Sequence, residues 1–124
     1  MHYLLNAKRG CFVETLEFAN FKEAFRSLII EDEEYVLVRH TLDLGEETGF
    51  HYHPEADEWL VINHGNFVAK LGNEEREFNL KRRVTAVHFP GGQKHSLVAL
   101  SRFSYFVLRD RKDATVYCEE EAVF

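Results

Sequence analysis

Residues 49–65 read GFHYHPEADEWLVINHG, and His51, His53 and Glu58 within them carry side chains of the kind that bind divalent metals. On an extended strand successive side chains alternate between faces, so His51 and His53 point one way and Tyr52 the other. Pro54 cannot donate to a sheet ladder, which makes PEAD the expected turn. If strand geometry resumes at Glu58, then Glu58, Leu60 and Ile62 share a face, with Trp59 on the opposite side as a packing residue. A carboxylate leading an inward apolar row is expensive to bury alone and is compensated beside a cation and imidazoles. His95 follows the PGGQK turn at the start of another strand and supplies a third imidazole. Together these residues form a mixed N/O set suited to Fe, Mn, Co, Ni, Cu or Zn, with positions left open for water or substrate. An H-x-H pair is weak evidence taken alone. A single strand histidine is more often a hydrogen-bonded structural residue, which is the reading of His2, His40 and His64.

The elements that must position this set are mostly strands. Runs at 11–18, 35–44, 58–64, 67–71, 76–80, 84–89, 95–100 and 102–110 are β-branched, aromatic or alternating, and Gly, Pro and Asn punctuate them. Gly65-Asn66 and Gly72-Asn73 are the expected hairpin turns. One helix interrupts the pattern: Asn20 is a good cap, and Phe21, Phe25 and Leu28 follow at helical spacing. Many short strands at such spacing predict an all-β sandwich or barrel, here a jelly roll with a short N-terminal helix.

The chain has 124 residues, the size of a single domain, and is 45% hydrophobic and 14% aromatic. Its net charge of −6 gives no electrostatic footprint for a nucleic-acid backbone. No basic amphipathic stretch or long apolar run suggests a membrane, and the amino end lacks a secretory apolar core, so the expected location is cytoplasmic. Cys11 and Cys118 stand in no metal or redox spacing and are expected as buried thiols on neighbouring strands.

From Gly45 the chain runs G-(five)-H-x-H-(four)-E-(six)-G through His51, His53, Glu58 and Gly65. This resembles the first motif of the cupin superfamily without a departure, and Pro90-x-Gly92-x-x-His95 resembles the core of the second. Val84 and Ala99 stand where the second motif usually has glycine and asparagine, and neither position is a metal ligand in that family. The resemblance covers about residues 34–110. It implies a double-stranded β-helix barrel with His51, His53, Glu58 and His95 around one divalent metal (Fe, Mn, Zn, Ni or Co, with Fe or Mn favoured). It also implies a homodimer, in which an amino-terminal segment within residues 1–33 could be exchanged. H-x-H-P-x-A-x-E is also similar to the motif of some oxalate decarboxylases and germins, which use manganese.

Cupins include dioxygenases, decarboxylases, sugar isomerases and non-catalytic ligand sensors, so the fold alone does not choose an activity. The expected function is a metal-dependent enzyme acting on a small molecule in the lumen, a dioxygenase or decarboxylase before an isomerase. The alternative is a small-ligand-binding or sensing protein. His88 is the candidate acid/base, while Arg39, Tyr52, Lys94 and Tyr105 are candidates for substrate contacts. The aromatic strand RFSYFVLRD is expected to place one face in the barrel and the other against a partner.

Overall fold

A computed structural model describes residues 13–29 and 34–118. Ten strands and one helix follow in chain order: β1 (Glu14–Phe18), α1 (Phe21–Leu28), β2 (Val36–Leu42), β3 (His51–Tyr52), β4 (Glu58–Ile62), β5 (Gly65–Leu71), β6 (Glu74–Leu80), β7 (Val84–Phe89), β8 (His95–Ala99), β9 (Phe103–Arg109) and β10 (Val116–Tyr117). They form two five-stranded antiparallel sheets, β1-β7-β4-β9-β2 and β10-β3-β8-β5-β6. Alternation within each strand sends one set of residues between the sheets. Leu60 and Ile62 of β4, Phe67 and Ala69 of β5, and Val87 and Phe89 of β7 meet there, with exposures of 1% or less.

The first sheet also buries part of its outer face, where α1 packs. Asn20 has an extended backbone and its side-chain Oδ1 accepts a hydrogen bond from the Glu23 N–H at 2.8 Å, which starts α1 where the cap was expected. The helix then lays Phe21 and Phe25 edge-on against Phe106 of β9, with ring centroids 5.3 and 5.5 Å apart. Ala24 is fully buried, which lets the helix approach the sheet closely. On the outward face of β9, Phe106 is covered by the chain's own helix.

β1 pairs with β7 of the same chain, from Glu14 opposite His88 to Phe18 opposite Val84. Residues 1–12, which include Cys11 and His2, lie outside the described residues, as do 30–33 and 119–124. The expected turn at Gly65-Asn66 falls two residues earlier, at Asn63 and His64, and Gly65 opens β5. Its φ of +146° and the 2.6 Å that would separate a Cβ there from Phe103 Cβ both require glycine. Among the described residues no helix is long and apolar enough to cross a membrane.

Candidate metal centre

The two sheets close on one another at the end where β3, β4 and β8 deliver polar side chains inward. His51 and His95 are register partners across β3 and β8, with ring centroids 4.4 Å apart. His53 follows just beyond β3, and Glu58 enters from the opposite sheet at the first position of β4. One ligand atom from each of His51, His53, Glu58 and His95 lies within 4.8 Å of the others. Donors held at about 2.1 Å from one ion stand roughly 3 to 4 Å apart, so side-chain shifts of about an ångström or less would bring the four onto a single ion. His53, Glu58 and His95 are 4%, 5% and 2% exposed.

Hydrogen bonding aims each imidazole. His51 Nδ1 meets the Gly49 carbonyl at 2.9 Å, His95 Nδ1 the Gln93 carbonyl at 2.9 Å, and His53 Nδ1 the Ala114 carbonyl at 3.1 Å. A carbonyl can only accept, so each Nδ1 carries the proton and each Nε2 is left to act as a ligand. Gly49, at φ +78°, turns its carbonyl toward the ring two residues on. His95 Nε2 is shielded from solvent without a hydrogen-bond partner, 3.7 Å from Glu58 Oε1. Such an orphaned buried acceptor, beside a buried carboxylate and two similarly oriented rings, matches the donor chemistry of a divalent transition metal.

Aspartates fix the loop that carries the ligands. Asp113 Oδ2 accepts from the Glu55 and Ala56 N–H groups at 2.7 and 2.8 Å, and Asp57 Oδ1 accepts from the Gly91 N–H at 2.8 Å. The segment after β9 thus clamps the PEAD turn and, through the Ala114 carbonyl, orients His53. Backbone hydrogen bonds hold the Asp113 carboxyl below its ordinary pKa.

Burial works to raise the pKa of Glu58, but its 2.8 Å contact with His53 Nε2 and the nearby His95 ring outweigh it and hold the carboxyl far below its usual range. The bond to Glu58 in turn raises His53, whereas burial lowers His51. The stability contributions of the two histidines have opposite signs. That of His53 is present below its unfolded value of 6.5 and is lost as pH rises through its higher folded pKa. That of His51 is present above 6.5 and is lost as pH falls through its lower folded pKa. These opposed terms obscure each other in a stability profile, and ring NMR separates them. In metal-free protein His53 is expected to titrate above 6.5 and His51 below it. Added metal is expected to remove both titrations from the neutral range, because ligation replaces the proton. Titration of His51 above His53 would contradict this assignment.

A cavity of about 270 Å³ opens from the cluster toward solvent. Its walls are apolar at Leu42, Leu60, Phe89, Leu97 and Val107 and polar at His40, Thr41, Thr48, Tyr105, Arg109 and Thr115, with Tyr117 at the rim. Of the contact candidates, Tyr105 is in the cavity, where burial pushes its phenol pKa up. Tyr52 faces away from His51 and pairs with Val116, Lys94 is exposed in the turn before β8, and Arg39 is paired with Phe106 on the outer face of β2.

His88 is not in the cavity. Phe89, its neighbour, is opposite Glu58 in the sheet register and stacks on His95 at 4.2 Å, so alternation puts His88 outside. There it stacks on Trp59 at 4.4 Å and bonds Glu14 Oε1 at 3.1 Å. The acid/base role expected of His88 is therefore replaced by a packing role against β1. Arg109 and His40 were missed as cavity residues. Both share a face with Tyr105: Arg109 is four residues along β9, and His40 is its cross-strand partner.

No family model matches the chain. A Bacillus subtilis protein, the uncharacterised YrkC, is 27% identical over 77 residues, a match that spans 60% of this chain and 41% of YrkC. Among solved structures, an uncharacterised Klebsiella pneumoniae protein with a double-stranded β-helix domain superposes with a TM-score of 0.58 at 18% identity, covering 73% of this chain and 80% of that one. A sugar phosphate isomerase of the cupin superfamily from Silicibacter pomeroyi gives 0.57 at 17% identity, covering 85% and 66%. An oxalate oxidase gives 0.57 at 17% identity, covering 67% and 45%.

Proposed function

The chain has the double-stranded β-helix fold of the cupin superfamily, and from that premise we propose that it is a metal-dependent enzyme acting on a small molecule in the barrel cavity. The observation that carries the proposal is the convergence of the Nε2 faces of His51, His53 and His95, each fixed by a backbone carbonyl on Nδ1, upon the buried Glu58 carboxylate. A divalent ion held there would supply Lewis acidity, and iron or manganese would add redox chemistry. The chain's own residues shape the rest. Leu60, Phe89 and Leu97 exclude water around the cluster, and the Tyr105 phenol, kept neutral by burial, can donate a hydrogen bond to a substrate oxygen.

The dioxygenase or decarboxylase reading is preferred over an isomerase. Sugar isomerisation moves a proton between carbons and needs a general base, and the histidine expected to serve faces outward. The same observation supports a second reading, a ligand-binding protein in which the metal only positions its ligand. Metal analysis of protein purified without added metal or nickel resin tests both readings. We expect about one equivalent of iron or manganese per chain, and oxygen uptake with a member of a small-acid panel. Zinc would shift weight to the isomerase reading. A metal-loaded protein that turns over none of the panel would favour the binding reading, and absence of any metal would sink both.

A further inference from the structure

The lining of the cavity carries an unbalanced charge. Among the lining residues Glu58 is the sole carboxylate, and Arg109 is the sole permanent cation. A divalent ion against one carboxylate would leave a positive charge, and Arg109 adds a second in the same cavity. Elsewhere the chain is acidic, with a net charge of −6. Arg109 is register partner to Glu58 across β9 and β4, so both side chains face inward at the same level of the barrel. Yet no ion pair to Arg109 occurs among the described residues, and its Nε is shielded from solvent without a hydrogen-bond partner. The acidic residue next along the chain, Asp110, is engaged by Arg111 at 3.2 Å and by the Asp57 N–H at 3.1 Å. Arg109 is half-buried, and its shielded Nε lacks the hydrogen bond that buried polar atoms normally find.

We propose that Arg109 is the anion anchor of the substrate site, and that the substrate is a small dicarboxylate or comparable carboxylate dianion. One carboxylate would dock on the Arg109 fork, leaving the other end of the molecule toward the His51, His53, Glu58 and His95 cluster. The inference rests on the metal-dependent reading above. Two features select this class, and the cavity's size is compatible with it. The guanidinium fork matches a planar carboxylate in a two-point contact. Two positive charges in one cavity match a dianion better than a neutral sugar. The cavity, at about 270 Å³, is small and suits a compact ligand.

The test uses the full chain loaded with cobalt, whose visible absorption reports ligands entering the metal's surroundings. Oxalate, malonate and succinate are titrated as probes beside malonamide and inorganic phosphate, and bound cobalt is assayed before and after. At least one dicarboxylate is expected to bind at millimolar concentration or below, roughly tenfold or more tighter than malonamide. Arg109→Met is expected to weaken that binding by at least about tenfold, and Arg109→Lys by less, with cobalt content unchanged in both. Unchanged dicarboxylate affinity in Arg109→Met, or no binding by any of the three acids to cobalt-loaded protein, would overturn the assignment. Phosphate binding more tightly than every dicarboxylate through Arg109 would also overturn it in favour of a phosphorylated substrate. Failure of the unaltered chain to hold cobalt is a different result and would overturn the metal-dependent reading itself.

Discussion

Glu58→Leu protein is expected to purify with less than about a tenth of an equivalent of metal, against about one for the unaltered chain. His53→Leu should lose metal as fully, but the two substitutions should differ sharply in what they do to the metal-free fold. Glu58 is a carboxylate 5% exposed, bonded to His53 Nε2 at 2.8 Å, with His95 Nε2 more distant at 3.7 Å. Removing His53 strands a buried negative charge, a change that costs about 3 to 5 kcal/mol where it has been measured in other proteins. Removing Glu58 is milder, because His53 can answer by shedding its proton. Replacing both with leucine removes the charge and fills the space with apolar atoms, which such sites tolerate without loss or with a gain of stability. Urea unfolding in the presence of chelator is therefore expected to rank His53→Leu lowest and the double variant above it by roughly 3 kcal/mol. Equal stability of His53→Leu and the double variant would show that Glu58 is not a stranded charge. Retention of full metal by Glu58→Leu would remove it from the ligand set. A double variant more stable than the unaltered chain would mean that the pair is kept at a cost in stability, which is intelligible if it serves a site.

That pairing also shows why the cluster could be read from the sequence while its surroundings could not. His51 and His53 share a face because strand side chains alternate, and a two-residue spacing states this without knowledge of any neighbour. Glu58 and His95 were legible through the family motif, and the sheets do bring all four residues together. The jelly-roll class and the helix cap at Asn20 were equally local signals. The phase of β7 was not local. Whether His88 or Phe89 faces the cavity depends on the register with β4, where Phe89 falls opposite Glu58. Arg109 was hidden for the same reason, since its inward direction follows from Tyr105 only once β9 is known to be regular as far as residue 109. α1 was legible as a helix but not as the cover for Phe106 and Trp59, because an amphipathic face does not say what it packs against. β10, two residues long, is too short for any periodic pattern, yet Ala114 just before it supplies the carbonyl that orients His53.

The second large effect is expected at Gly91, the position that the family motif leaves unspecified between Pro90 and Gly92. A Cβ at residue 91 would lie 2.5 Å from the Glu55 carbonyl oxygen and 2.8 Å from its carbon, both backbone atoms. Neither can rotate away, and the Glu55 segment is itself held by Asp113 through the N–H groups of residues 55 and 56. Gly91 also donates its N–H to Asp57 Oδ1 at 2.8 Å, immediately before Glu58. Gly91→Ala must therefore push the turn before β8 away from the turn before β4, separating His95 from Glu58. We expect a loss of about 2 to 4 kcal/mol, in the range of overpacking against rigid neighbours, and a fall in melting temperature of roughly 10 °C or more. Gly49→Ala is the informative comparison. It sits at φ +78° with nothing within 4 Å of its added Cβ, so only the backbone penalty of about 1 kcal/mol applies. Thermal unfolding of the two variants without metal should separate them by at least about 1 kcal/mol, and metal titration should show the weaker binding in Gly91→Ala. Equal stability would mean that the two turns separate without strain, and that their close approach is not what aligns the ligands.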